Sequence, residues 1–172
     1  MRKFIGLLLL VSVVFGLQIN EVPKRVVLDG KSGGRVDGKA FDTAMIRGKT
    51  YLFVYSDPDK RDLNEEFFDR VKAQNFDRSR YNSIAVVNMA ATWMPNFLLQ
   101  AILKSKQKKY PHTIYVKDNE KIFVKEWGLA DNSQNVLIFD SQGRVRFFKS
   151  GKLTKKDQEK ALAILQKLVN GK

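Results

Sequence analysis

Residues 136–154 read Val136-Leu137-Ile138-Phe139-Asp140-Ser141-Gln142-Gly143-Arg144-Val145-Arg146-Phe147-Phe148-Lys149-Ser150-Gly151-Lys152-Leu153-Thr154, and the fold turns on this stretch. Four apolar residues in succession make a buried strand, and Asp-Ser-Gln-Gly is the turn that ends it. Val145 to Phe148 supplies the returning partner of a hairpin. Thr154, with Asp157 three residues on, has the spacing of a capping box. The helix it opens carries Ala161, Leu162, Leu165, Leu168 and Val169 on one side. The chain therefore closes with strand, hairpin strand and helix.

Further upstream, Tyr51-Leu52-Phe53-Val54-Tyr55 is a continuous apolar run of strand length, suited to a sheet covered on both faces. Ser56-Asp57-Pro58-Asp59 breaks it, and Leu63, Phe67, Phe68 and Val71 recur at helical spacing, predicting a helix from about Asp59 to Gln74. Ser83 to Met89 is the next buried strand. A helix over Pro95 to Lys108 follows, with Pro95 in its first turn and Phe97, Leu98, Ala101 and Ile102 as its apolar face. Lys104, Lys106, Lys108 and Lys109 load its end, where cations complement the helix dipole. Thr113–Val116 and Ile122–Val124, on either side of Asp118-Asn119-Glu120, form a hairpin-like piece. Before all of these, Val26-Val27-Leu28 is a short strand leading into a glycine-rich hairpin. The order is βαβα, a hairpin-like piece, then ββα, with no internal repeat and no linker. This is an α/β chain of one domain, residues 36–170, after a tail and short strand over 17–35.

Composition narrows the chemistry. The chain has 172 residues, 31 Lys and Arg against 18 Asp and Glu, one histidine and no cysteine, for a formal charge of +13. Without cysteine there is no disulfide, thiol nucleophile, Cys-ligated zinc or iron–sulfur cluster. A single histidine excludes a multi-histidine metal site within one chain. Gly30-Lys31-Ser32 imitates the end of a P-loop, but the glycine that motif needs five positions earlier is Arg25. Met-Arg-Lys followed by an uncharged run of 14 residues, Phe4 to Leu17, reads as a secretory signal peptide cut after Gly16. The run falls short of the roughly 20 residues of a spanning helix, so no integral anchor is expected after cleavage. Losing Arg2 and Lys3 leaves a mature charge of +11.

The element order is the thioredoxin-like plan: a central mixed sheet flanked by helices. The strand ending in Asp140-Ser141-Gln142-Gly143 and the following Gly151-Lys152-Leu153-Thr154 resemble the back half of thiol-peroxidase and cytochrome-maturation thioredoxins. More closely, Asp77-Arg78-x-Arg80-Tyr81, Val86-Val87-Asn88, Lys108-Lys109-Tyr110-Pro111 and the closing hairpin resemble the YtfJ family of exported thioredoxin-like proteins over roughly residues 36–170. That resemblance implies a periplasmic location and a thioredoxin-like fold. Aligned on Tyr51–Tyr55, the positions of a redox CxxC fall near Asp59 and Asp62, and Ser133-Gln134-Asn135 lacks the expected proline. A carboxylate cannot replace the nucleophilic thiolate of disulfide exchange, so thiol-disulfide and thiol-peroxidase activity are excluded.

The candidate partner-binding residues are Asp57, Asp59, Asp62, Trp93 and Gln134, grouped where the helix from Asp59 meets the loop before Val136. The three aspartates also suit a helix N-terminus, where carboxylates are stabilised by caps and dipole. Their spacing does not match an EF-hand loop, and no metal or other cofactor is implied. His112 and Ser56 are weak catalytic candidates: no partner orients the one, and the other lacks a nucleophile-elbow context. Trp93 sits in a loop-like Ala-Thr-Trp-Met-Pro stretch. The lysines lack the interleaved aromatics of a nucleic-acid surface, and export removes that partner. The expected function is therefore a non-catalytic binding or structural module of the cell envelope, whose partner is an envelope protein or an anionic envelope surface. A hydrolase using a carboxylate or His112 in the groove, and a basic protein held only electrostatically, are the alternatives. Amino-terminal sequencing of protein recovered from the periplasm is expected to begin at Leu17; a chain still starting at Met1 in the membrane fraction overturns the export reading.

Overall fold

The computed structural model describes residues 16–171, so the segment read as a signal peptide lies, but for Gly16, outside the described residues. Eight strands and four α-helices follow: β1 (Val27–Leu28), β2 (Gly33–Arg35), β3 (Phe41–Asp42), β4 (Thr50–Ser56), α1 (Glu65–Ala73), β5 (Tyr81–Asn88), α2 (Asn96–Lys109), β6 (Thr113–Asp118), α3 (Ile122–Trp127), β7 (Gln134–Phe139), β8 (Val145–Ser150) and α4 (Lys155–Asn170). Six strands form one mixed sheet in the order β2-β6-β5-β4-β7-β8. β4, β5 and β6 are parallel neighbours, while β7 runs antiparallel to β4 and β8 antiparallel to β7.

The apolar run of β4 needs two cores, because its side chains alternate between faces. Tyr51, Phe53 and Tyr55 point to one face with Phe123, Trp127 and Phe139, where Phe53 and Phe123 meet edge-on at 5.3 Å. Leu52 points to the other face, where α1 and α4 bring Phe67, Val71, Ala161, Leu165 and Val169. A third, smaller cluster sets Leu99 and Leu103 of α2 on Met89, Val87 and Tyr115. Thr154 and Asp157 form the expected reciprocal capping box on α4.

Four expectations need correcting. The helix predicted from Asp59 begins at Glu65: Pro58 opens a separate 3₁₀ turn over Pro58–Lys60, and the chain then turns until Asn64. Ile122–Val124 is not extended but lies within α3, whose first amides are captured by the Asp118 carboxylate at 2.9 Å (Ile122) and 3.0 Å (Phe123). Six residues are too few to display a helical period, so the apolar triplet resembles a strand. On α2 the packed side is Leu99 and Leu103; Phe97 and Leu98 are exposed, at 77% and 44%, as is Ala101. Nor do the glycine-rich residues make a local hairpin: β1 pairs with β3, and β2 becomes the outer strand beside β6.

That outer pairing depends on glycine. Gly33 has φ 132°, and a Cβ placed there would run into the carbonyl oxygen of Lys117 on β6. No described helix is long and apolar enough to cross a membrane. Gly33→Ala is expected to cost about 1–3 kcal/mol through backbone strain alone, and hydrogen exchange is expected to show β2 amides losing protection before those of β4.

Candidate functional site

The carboxyl ends of the parallel strands β4, β5 and β6 bring polar residues into a dry place. Ser56 and Asp57 follow from β4, Asn88 ends β5 and Asp118 ends β6; all four are buried, Asn88 and Asp118 completely. Open α/β sheets bind ligands at this edge. Each polar group must therefore find a partner inside the protein or carry a desolvation cost.

Two amide side chains hold the frame. Asn64, just before α1, donates from Nδ2 to Gln134 Oε1 (2.9 Å) and to the Gly151 carbonyl (3.0 Å), and its Oδ1 accepts from the Leu153 amide at 2.7 Å. This occupation explains why Asn64 makes no side-chain cap on α1. Gln134, at the start of β7, donates to the Arg61 carbonyl at 2.9 Å. Together they staple the 57–64 turn to β7 and to the approach of α4. Asn135 similarly closes the preceding loop, accepting from the Ala130 amide (3.0 Å) and donating to the Ala130 carbonyl (2.9 Å).

Asp57 is the exception to this complete satisfaction. It caps nothing, is 1% exposed, and accepts one hydrogen bond on Oδ1 from Asn88 Nδ2 at 2.9 Å. Asn88 Nδ2 also donates to Asp131, whose carboxylate pairs with Lys121 Nζ at 2.6 Å. Asp57 Oδ2 and Asn88 Oδ1 have no hydrogen-bond partner. Burial pushes the Asp57 carboxyl upward and the neighbouring Asp131 adds to it, against the hydrogen bond from Asn88. Asp131 is held low by its bond to Lys121. Burial, with Asp118 at 3.3 Å, likewise raises the Tyr55 hydroxyl.

From this polar end an open groove of about 470 Å³ runs across the sheet between α1 and α2. Leu52, Val54, Ala85, Val87 and Tyr115 make its floor, Phe68 and Ile102 its walls, and Lys72, Arg78 and Lys106 line it near the carboxyl ends of the two helices. Asp57, Asp62 and Gln134 line it; Asp59 and Trp93 do not. Asp59 is exposed on the 3₁₀ turn, and Trp93, 90% exposed, stands apart before α2. Ser56 donates its hydroxyl to the Asp57 carbonyl at 2.9 Å and is not poised as a nucleophile. His112 is exposed just before β6; Tyr110 and Thr113 on either side of it line the groove, but His112 itself does not. Among the described residues no three acidic or histidine side chains converge as a metal site. Asn64, Asn88 and Asn135 were not among the candidate site residues, since an asparagine in or beside a strand does not show in the sequence which distant groups its amide meets. The sequence signal for Asn88 was its place at the end of an apolar run.

The sequence model of a family described as "Bacterial protein of unknown function (YtfJ_HI0045)" matches residues 25–168, and the chain belongs to that family. A protein of Escherichia coli K12 described as "Uncharacterized protein YtfJ" is 25% identical over 134 residues, covering 76% of this chain and 73% of that one. Among solved structures, a thiol-disulfide isomerase from Corynebacterium glutamicum superposes with a TM-score of 0.57 at 15% identity, over 84% of this chain and 96% of its own. The pneumococcal exposed lipoprotein thioredoxin Etrx1 of Streptococcus pneumoniae gives 0.55 at 16%, over 84% and 100%. The fold is thioredoxin-like, and here it contains no cysteine.

Because burial raises Asp57, the folded chain holds that proton more tightly than the unfolded chain, whose carboxyl titrates near the ordinary value of about 3.9. Stability therefore falls as pH rises from that value through the raised one, and the ionised carboxylate opposes folding above both. Asp57→Asn is expected to raise Tm by about 2–4 °C at pH 7. In thermal melts the gain should shrink as pH falls and vanish below about pH 3, where the carboxyl is neutral in both folded and unfolded chains; an equal gain at low and neutral pH contradicts the assignment.

Proposed function

We propose that this family member is a non-catalytic binding module of the bacterial cell envelope, exported to the periplasm by residues 1–16, which holds its partner in the groove between α1 and α2. The groove carries the reading. Its volume of about 470 Å³ falls in the 300–1,000 Å³ range of ligand sites, as does its pattern of apolar floor and few polar groups. The polar groups sit at one end, where Asp57, Asp62 and Gln134 line it. No thiolate is available for exchange chemistry on this frame. Ser56 is turned to a backbone carbonyl, and His112, exposed beside the groove, is not one of its lining residues, so the hydrolytic alternative gains no support. An envelope setting agrees with the basic, apolar amino-terminal segment and with the pneumococcal neighbour being an exposed lipoprotein.

Cross-linking in the native envelope, followed by purification of the full chain, is expected to capture one dominant partner. Ala85→Phe, which fills the groove floor, and Asp62→Lys, which reverses charge on its exposed rim, are each expected to weaken capture tenfold or more, about 1.4 kcal/mol. Circular dichroism melts of both variants control for folding. Capture at unchanged level by folded variants removes the groove as the binding site.

A further inference from the structure

We propose that the solvent face of α2, together with Trp93 before it, is an interfacial anchor that seats the protein on an anionic lipid bilayer. This surface lies outside the groove, and the inference does not depend on the groove's function. Trp93 is 90% exposed, Phe97 77% and Leu98 44%, so three large apolar side chains within six residues are exposed at the amino end of α2. Core packing does not need them, because α2 already buries Leu99 and Leu103 on its other side. Singly scattered exposed apolar residues need no explanation, but several large ones exposed together point to an interaction surface.

The rest of the exposed face names the partner. Phe97, Ala101, Lys104 and Lys108 are spaced i, i+4, i+7 and i+11, which aligns them along one side of the helix, and all four are exposed. Lys109 adds a further exposed ammonium at the end of α2. From Arg78 through Lys117 the chain contains seven Lys and Arg and no acidic residue. None of the α2 lysines forms an ion pair among the described residues. An aromatic front followed by a row of free cations is the composition of a helix lying in a bilayer interface: the rings enter the headgroup boundary and the ammonium groups meet lipid phosphates. α2 spans about 21 Å, and its exposed side is a convex ridge, which suits a planar surface. Charge complementarity thus selects an anionic bilayer as the occupant.

The probe is built in. The chain has two tryptophans, and Trp127 is 1% exposed, so a change in emission on binding reports Trp93. The full exported chain is mixed with phosphatidylcholine vesicles with and without phosphatidylglycerol. Co-sedimentation and a blue-shifted emission are expected only with phosphatidylglycerol, and both should fall steeply as salt rises to about 0.5 M, where screening shortens to a few ångströms. The double variant Trp93→Ser/Phe97→Ser, tested by sedimentation, and Lys104→Glu/Lys108→Glu, tested by both readouts, are each expected to lose tenfold or more in vesicle affinity at unchanged Tm. Ala85→Phe should bind vesicles normally, which separates this surface from the groove. The proposal is overturned if anionic vesicles produce no blue shift, if the Trp93/Phe97 variant binds them undiminished, or if the same face captures an envelope protein while ignoring lipid.

Discussion

Strand β4 is hydrogen-bonded on both edges, by β5 and β7, and covered on both faces. Its main chain is paired along both edges, so its backbone groups are satisfied within the sheet, and of its side chains only Val54 is left half-buried. Tyr51, Phe53 and Tyr55 enter an aromatic cluster with Phe123, Trp127 and Phe139, whose pairs add about 0.5–1.5 kcal/mol each beyond the area they bury. At its carboxyl end, where the backbone turns away from the sheet, the loops need partners of their own, and Asn64, Gln134 and Asn135 supply them by bonding main-chain groups of several loops at once.

That polar end gives the cysteine-free frame its chemical character. A carboxyl buried beside a second carboxylate, with only one strong partner, is poised toward its neutral form. Asp57 shares Asn88 with Asp131, while Lys121 neutralises Asp131 from the far side. The electrostatic gradient therefore runs from a paired, ionised aspartate near solvent to a desolvated one inside. Two acceptors without donors remain at its inner end, a cost that fully paired networks avoid.

The groove starts at the same turn. Pro58 and the buried Asn64 delay α1 until Glu65, leaving it nine residues long. Between α1 and α2, Val54, Ala85 and Val87 stay half-buried as an open floor. α2 in turn packs Leu99 and Leu103 on the protein, bonds β6 through Gln107, and turns Phe97, Lys104 and Lys108 outward. The molecule thus has two separate surfaces with different chemistry, one concave and apolar with a polar end, the other convex, aromatic and basic.

Local pattern alone determined strands β4 to β8 of the central sheet, but not β2, which joins it through β6, together with the hairpin around Asp140–Gly143, the capped helix α4 and the loss of thiol chemistry. These depend on near neighbours in the chain: an unbroken apolar run, a turn tetrad, a cap three residues from its partner, an absent residue type. Where α1 begins, that Ile122–Val124 is helical, and which side of α2 faces water were decided by tertiary structure. Each depends on a partner distant in sequence or brought near only by a turn: Gln134 and Leu153 for Asn64, the Asp118 carboxylate for the amides of α3, and Met89, Val87 and Tyr115 for α2. The candidate site divides the same way. Asp57, Asp62 and Gln134 were visible as polar residues around a strand end, but the burial of Asp57 and its pairing with Asn88 were not. Burial depends on what the rest of the chain places around a residue, and that is settled only when the sheet closes.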